Sequence, residues 1–181
     1  MTRASLLATV LVITTCLFTG RCQNGNLDRC PTQLNRGAYL KAFRDKCYDF
    51  VTYDDRTWNT AKMSCEGQGG SLAIITDQST QDFILATIKN VGYTEKGMWI
   101  GLTDSENEGS WKWVKASTAS YSNWERDHGG ILGFAEDCAL LRSVDGKWIE
   151  LPCGVFWDTY GFICEYDMMS TTSSLPVMPK V

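Results

Sequence analysis

The residues able to do chemistry in this chain are few. Eight cysteines and one histidine stand among 181 residues. Cys30, Cys47, Cys65, Cys138, Cys153 and Cys164 form an even set that reads as three disulfides of a secreted protein rather than as a metal centre. Cys16 and Cys22 fall in an apolar leader and leave with it. His128, the one imidazole, stands in a polar stretch where Asp127, Glu136 and Glu150 are available as oxygen ligands. That set could hold zinc or make a pH-dependent ligand contact, although a lone histidine in such a loop is ordinarily a solvated side chain. With the mature cysteines paired and a single histidine, no Ser/His/Asp set can be placed, so no enzymatic activity is expected.

The N-terminus indicates the compartment. Arg3 precedes an uncharged, low-polarity run over residues 6–18 that Gly20 and Arg21 break, too short to cross a bilayer comfortably. Residues 1–22 read as a signal peptide cleaved after Cys22; an uncleaved leader that stops in the membrane is the alternative. No later apolar stretch approaches spanning length, so a secreted, extracellular protein without membrane insertion is expected. Net charge is −4, and because the leader carries two arginines and no acid, the remainder holds 15 basic and 21 acidic groups. That excess of acid argues against nucleic acid or an anionic membrane as partner.

The elements that must position these residues follow an α+β order. Asp54 and Asp55 offer capping oxygens, and Trp58, Ala61 and Cys65 recur at helical spacing, which predicts a helix over 57–68 stopped by Gly69 and Gly70. A second helix is expected from Ser79, with Ile84, Ile88 and Val91 as its buried stripe. Short strands follow from branched and aromatic runs at 72–75, 98–102, 111–114, 138–141, 147–151 and 161–166. Residues 23–29 and the Ser/Thr-rich end, 168–181, read as loose segments flanking one domain over 30–167. From 115 to 137 the chain is polar and without period; a loop of that length is usually functional or disordered, and Trp124 and Phe134 within it favour order.

The whole constellation resembles a C-type lectin-like domain. The residues that carry the likeness are Cys65, Gly70-Ser71-Leu72-Ala73, Trp99-Ile100-Gly101-Leu102, Tyr121-Ser122-Asn123-Trp124, Glu136-Asp137-Cys138, Gly146-Lys147-Trp148, Pro152-Cys153 and Phe162-Ile163-Cys164-Glu165. The resemblance implies a disulfide-stapled double-loop fold with two helices flanking small antiparallel sheets. It also implies the pairs Cys65 with Cys164 and Cys138 with Cys153, and an N-terminal hairpin closed by Cys30 and Cys47. By count alone six cysteines allow 15 pairings. Trp111, Trp113, Trp124 and Trp148 are expected to pack in or near the core rather than to stack on a sugar.

Members of that family that bind sugar hold a calcium ion in the long loop through carboxylate and amide oxygens, and sugar hydroxyls complete its shell. Matched onto this sequence, the ligand-binding positions are His128, Gly130, Glu136, Ile149 and Glu150. Only Glu136 keeps the expected oxygen ligand: His128-Gly129-Gly130 stands where the family has Glu-Pro-Asn or Gln-Pro-Asp, and Ile149 stands where it has asparagine. Asp104, Glu108, Glu136 and Asp137 match positions that in some members hold an auxiliary calcium, and four acids drawn together would repel without a cation; solvated surface acids are the alternative. The expected function is a secreted carbohydrate-binding lectin, calcium-assisted or with an altered sugar site. The alternative is a lectin-fold module that binds a protein or mineral surface through acids such as Asp104, Glu106 and Glu108.

Overall fold

A computed structural model describes residues 27–115, 120–126, 135–155 and 157–170. The expected leader over 1–22 and residues 171–181 of the expected tail lie outside these. After a 3-10 turn at Leu27–Arg29, the chain forms β1 (Leu40–Phe43), β2 (Lys46–Arg56), α1 (Trp58–Gly67), β3 (Ser71–Leu72) and α2 (Gln78–Asn90). It continues through β4 (Gly97–Thr103), β5 (Lys112–Trp113), β6 (Cys138–Arg142), β7 (Trp148–Leu151) and β8 (Tyr160–Asp167).

Both helices sit where the periodicity predicts, but other residues cap them. Thr57, not Asp54 or Asp55, accepts from Thr60 N–H at the start of α1, because the chain is still extended as β2 through Arg56. Asp77, not Ser79, caps α2 by accepting from Thr80 N–H at 2.9 Å. Its extended backbone turns the carboxylate onto the free N–H groups of the first turn. Trp58, Ala61 and Cys65 are buried on α1, as are Ile84 and Ile88 on α2.

The strands join in the order β1-β2-β8-β4-β6-β7, with β3 added to β8 and β5 to β4. All pairings are antiparallel except β4 with β8, so the small sheets expected from the sequence form one mixed network. The strand expected over 72–75 pairs only through Leu72. Beyond it, Ala73 N–H donates to Ile163 O, and Ile74 N–H donates to the Glu165 carboxylate at 2.9 Å. Gly70 permits this packing, since a Cβ there would lie 2.6 Å from Glu165 O. The β1/β2 hairpin has no counterpart in the strand pattern read from residue types, and only the family likeness anticipated it.

Two apolar clusters fill the interior. One joins Trp58, Leu72, Trp99, Leu140 and Phe162 to the cysteines of α1 and β8. The other packs Ile84 and Ile88 of α2 against Ile100, Leu141, Trp148 and Ile163. Three disulfides close the frame: Cys30–Cys47, Cys65–Cys164 and Cys138–Cys153. These are the pairs the likeness implied. No helix among the described residues is long and apolar enough to cross a membrane.

Candidate functional site

The described residues at either end of the long connection between β5 and β6 are firmly anchored. Trp148 N–H of β7 donates to Asn123 O, and Glu125 N–H donates to Trp148 O, each at 2.9 Å, so residues 123–125 run beside β7 as a short parallel bridge. Side chains lock this register. Asn123 Nδ2 donates to Gly146 O at 2.9 Å, and Lys147 Nζ donates to Asn123 Oδ1 at 2.8 Å. Arg142 donates to Glu125 at 2.7 Å and to both carboxylate oxygens of Asp145. Aromatic rings seal the base, with Trp111 and Trp124 centroids 4.5 Å apart and Trp124, Tyr121 and Trp113 at 5.6–5.8 Å from Trp148. Trp148 is fully buried, so its ring is structural, as the sequence suggests.

The returning limb is fixed as firmly. Asp137 O accepts from Asp104 N–H at 3.1 Å and from the Thr103 hydroxyl at 2.6 Å. One residue later Cys138 enters β6 and is bonded to Cys153 beyond β7. The excursion is thus held at its departure by β7 and at its return by β4 and a disulfide.

Acids gather at this return point. Asp104 is 4% exposed; its Oδ2 accepts from Gly109 N–H at 2.8 Å, and its Oδ1 has no hydrogen-bond partner among the described residues. Burial pushes the Asp104 carboxyl above the usual carboxylate range; the Gly109 bond opposes this, and the charges of Asp137 and Glu150 add to it. Glu108 is raised in the same direction by desolvation and by Asp104, Asp137 and Glu150. Carboxylates of this kind are the oxygen donors calcium takes, and Asp104 Oδ1 is a buried acceptor in need of a partner. Yet among the described residues no three His, Cys, Asp or Glu side chains converge closely enough to hold a metal ion.

Of the residues expected to bind ligand, His128 and Gly130 lie outside the described residues. Ile149 is half-buried against the first apolar cluster and offers no oxygen. Glu150, paired with Ala139 across β6 and β7, acts on Asp104 and Glu108 by its charge. Glu136 is half-buried on the returning limb. The structure therefore joins Asp104, Glu108, Asp137 and Glu150 electrostatically. It places Ile149 apart from them, against the first apolar cluster.

Sequence reasoning passed over Gln81 and Arg142. Gln81 is 1% exposed and spans α2 to the β6/β7 turn, donating to Gly146 O and accepting from the Trp148 indole, both at 2.9 Å. A glutamine on the inward face of an apolar helix stripe was the signal available.

Comparison with known proteins agrees with this architecture. Residues 54–166 match the family model described as "Lectin C-type domain". The chain is 34% identical over 138 residues to a perlucin-like protein of Mytilus galloprovincialis, covering 75% of this chain and 86% of that one. Among solved structures, the human scavenger receptor C-type lectin carbohydrate-recognition domain is 34% identical with a TM-score of 0.61, over 76% of this chain and 98% of that one. The cow CD23 carbohydrate-recognition domain, solved in the presence of an oligosaccharide, is 28% identical with a TM-score of 0.65, over 78% and 98%. A loop pinned to β7, the three disulfide pairs and these likenesses have one common explanation: the chain belongs to the C-type lectin domain family.

Proposed function

We propose that the protein is a secreted carbohydrate-binding lectin whose sugar site departs from the calcium-centred arrangement usual in its family. The domain is read as residues 30–167, released by removal of a leader over 1–22, with a Ser/Thr-rich tail from 168. The family is one of binding modules, and no catalytic step is assigned. The observation that carries the reading is the double anchoring of the loop. Backbone bonds to Trp148 and the Cys138–Cys153 bond hold both described limbs, and fixed ends lower the ordering cost that a recognition loop must meet on binding.

A calcium ion that itself coordinates sugar does not fit the described residues, because Ile149 supplies carbon where an oxygen is needed. The auxiliary position fits better by charge. Asp104, Glu108 and Asp137 repel one another by charge but no three acids among the described residues close on one point, so an ion there would be held by fewer than three of them together with other oxygens, and it would neutralise the charge around buried Asp104. Ile149 also favours the second reading, recognition of a protein or mineral surface through the acids at 104, 106 and 108: Glu106 and Glu108 are exposed, while Asp104, 4% exposed, would act only through its charge.

A glycan array run on the oxidised protein, with calcium and again with chelator, tests this. Signal lost on chelation supports calcium-assisted binding, and signal retained supports the altered site. Silence in both conditions rejects glycan binding in favour of the second reading.

A further inference from the structure

Between the β1/β2 turn, the first turn of α2 and β8 lies a cavity of about 230 Å³. It is smaller than a drug-sized site, which suits it to a ligand of about one sugar ring. Its rim is fixed. Arg44, at the turn, has a φ of 53°, in the left-handed region that non-glycine residues seldom adopt, and donates to Asp77, the cap of α2, at 2.6 Å. Lys46, Tyr48, Glu165 and Lys115, just past β5, line the polar side; Phe43 and Ile74 line the apolar side. The Phe43 ring is itself stacked on Phe83 at 4.4 Å.

Two of these side chains are buried and yet keep one polar atom uncommitted. Glu165 is 3% exposed and Tyr48 is 4% exposed. Glu165 Oε2 accepts from Ile74 N–H, whereas the ammonium groups paired with Oε1, those of Lys46 and Lys115, stand 3.7 and 3.9 Å away, beyond hydrogen-bond reach. Tyr48 Oη likewise has no hydrogen-bond partner among the described residues. The occluded side-chain atoms that lack a partner there are Ser71 Oγ, Asp104 Oδ1, Ser143 Oγ and Tyr166 Oη. Glu165 Oε1 and Tyr48 Oη are not among them, and both side chains line the cavity, so these two oxygens open on it. Burial, followed by the Glu165 charge, pushes the Tyr48 phenol up, so at neutral pH it keeps its proton and can donate or accept.

The charges decide the ligand. Arg44, Lys46 and Lys115 surround one small space with Asp45 and Glu165, so an anion there meets carboxylates and a cation meets bases. A hydroxyl suits both, donating to Glu165 Oε1 while accepting from a lysine, and the lysines are close enough to Oε1 for one hydroxyl oxygen to reach both partners. Water also satisfies the polar side, but it gains nothing from Phe43 and Ile74, which the C–H groups of a sugar would cover. We propose that this cavity is a metal-independent subsite for an uncharged saccharide ring. One hydroxyl bridges Glu165 Oε1 and a lysine, a neighbouring hydroxyl pairs with Tyr48 Oη, and C–H groups rest on Phe43 and Ile74. The choice of a sugar rests on the lectin reading; the subsite adds the class of sugar and a place distinct from the acids around Asp104.

The test maps amide shifts of the oxidised full chain, with chelator present, titrated with methyl α-D-mannopyranoside, methyl β-D-galactopyranoside, glycerol and sodium acetate. Shifts at Phe43, Tyr48, Ile74 and Glu165 are expected with at least one of the two glycosides. Affinity should fall about threefold in Tyr48→Phe and about tenfold in Glu165→Gln, as hydrogen bonds to neutral and to charged groups commonly carry. Tyr48→Phe keeps the ring and removes an oxygen that has no protein hydrogen bond, so that variant should keep its fold and its circular dichroism. An equal response to glycerol or to acetate overturns the proposal, as does an unchanged affinity in Tyr48→Phe. Neutral glycans captured on the array while these amides respond to neither glycoside overturn the subsite and leave the lectin reading standing. Silence of the amides and of the array alike overturns both.

Discussion

The indole N–H of Trp148 donates to Gln81 Oε1 at 2.9 Å, joining two buried side chains that stand 67 residues apart in sequence. Gln81 uses its other end to hold Gly146 O, which Asn123 also contacts. One glutamine thus fixes helix α2, the β6/β7 turn and the base of the long loop together. Replacing it with leucine leaves the indole N–H buried without an acceptor, while Gly146 O keeps Asn123. The expected loss is about 1–3 kcal/mol of unfolding free energy in urea, with faster exchange of the Glu125 amide. An unchanged midpoint would show that this contact has no net worth.

The two disulfides that frame the domain should differ in weight. Cys65–Cys164 spans 99 residues and Cys138–Cys153 spans 15. Loop-closure entropy predicts losses of about 4.7 and 3 kcal/mol when each pair is replaced by alanine. Denaturant unfolding of the two double variants measures the difference. A larger loss from the shorter bridge would mean that native-state packing, not chain entropy, governs their contribution.

Glu165 should give stability an unusual pH dependence. It is 3% exposed, and burial raises its carboxyl above the usual range despite the Ile74 N–H bond and the charges of Lys46 and Lys115. A carboxyl whose folded value is raised favours the folded state while protonated. Relative to Glu165→Gln, the wild-type chain should therefore lose stability as pH rises from about 4.3, the ordinary glutamate value, through the raised one. Asp77, Asp145 and Asp167 are lowered chiefly by hydrogen bonds from Arg44, Arg142 and Lys46 respectively. They act in the opposite sense, losing their contribution as pH falls, but they are common to both proteins and should largely cancel. Urea midpoints across pH test the difference, and a flat difference curve rejects the prediction.

Calcium added to the oxidised protein should release or absorb heat in a titration, and Asp104→Asn and Glu108→Gln should each diminish it. Neutralising the repulsion around Asp104 would supply the driving force. No heat above buffer would count against the auxiliary site.

Where local rules suffice, the sequence is readable. Trp58, Ala61 and Cys65, like Ile84 and Ile88, repeat at helical spacing, and both helices stand where that spacing puts them. Caps were less readable, because Thr57 and Asp77 compete with equally suitable neighbours, and the strand that precedes α1 removes Asp54 and Asp55 from contention. The β1/β2 hairpin was obscured by Lys41, Arg44 and Asp45 around its turn. Of the candidate site, Asp104, Glu108 and Asp137 act on one another by charge, Ile149 packs against the first apolar cluster, and His128 and Gly130 lie outside the described residues.

The sequence by itself determined the helix faces, the even set of cysteines and the family pattern, because these are written in residue types at short, regular separations. Only the tertiary structure decided that β8 lies antiparallel to β2 yet parallel to β4, and that Gln81 meets Trp148. It also decided that Tyr48, Lys115 and Glu165 share one cavity. Those relationships join residues tens of positions apart, and the packing of the assembled core, not any local preference, brings them together.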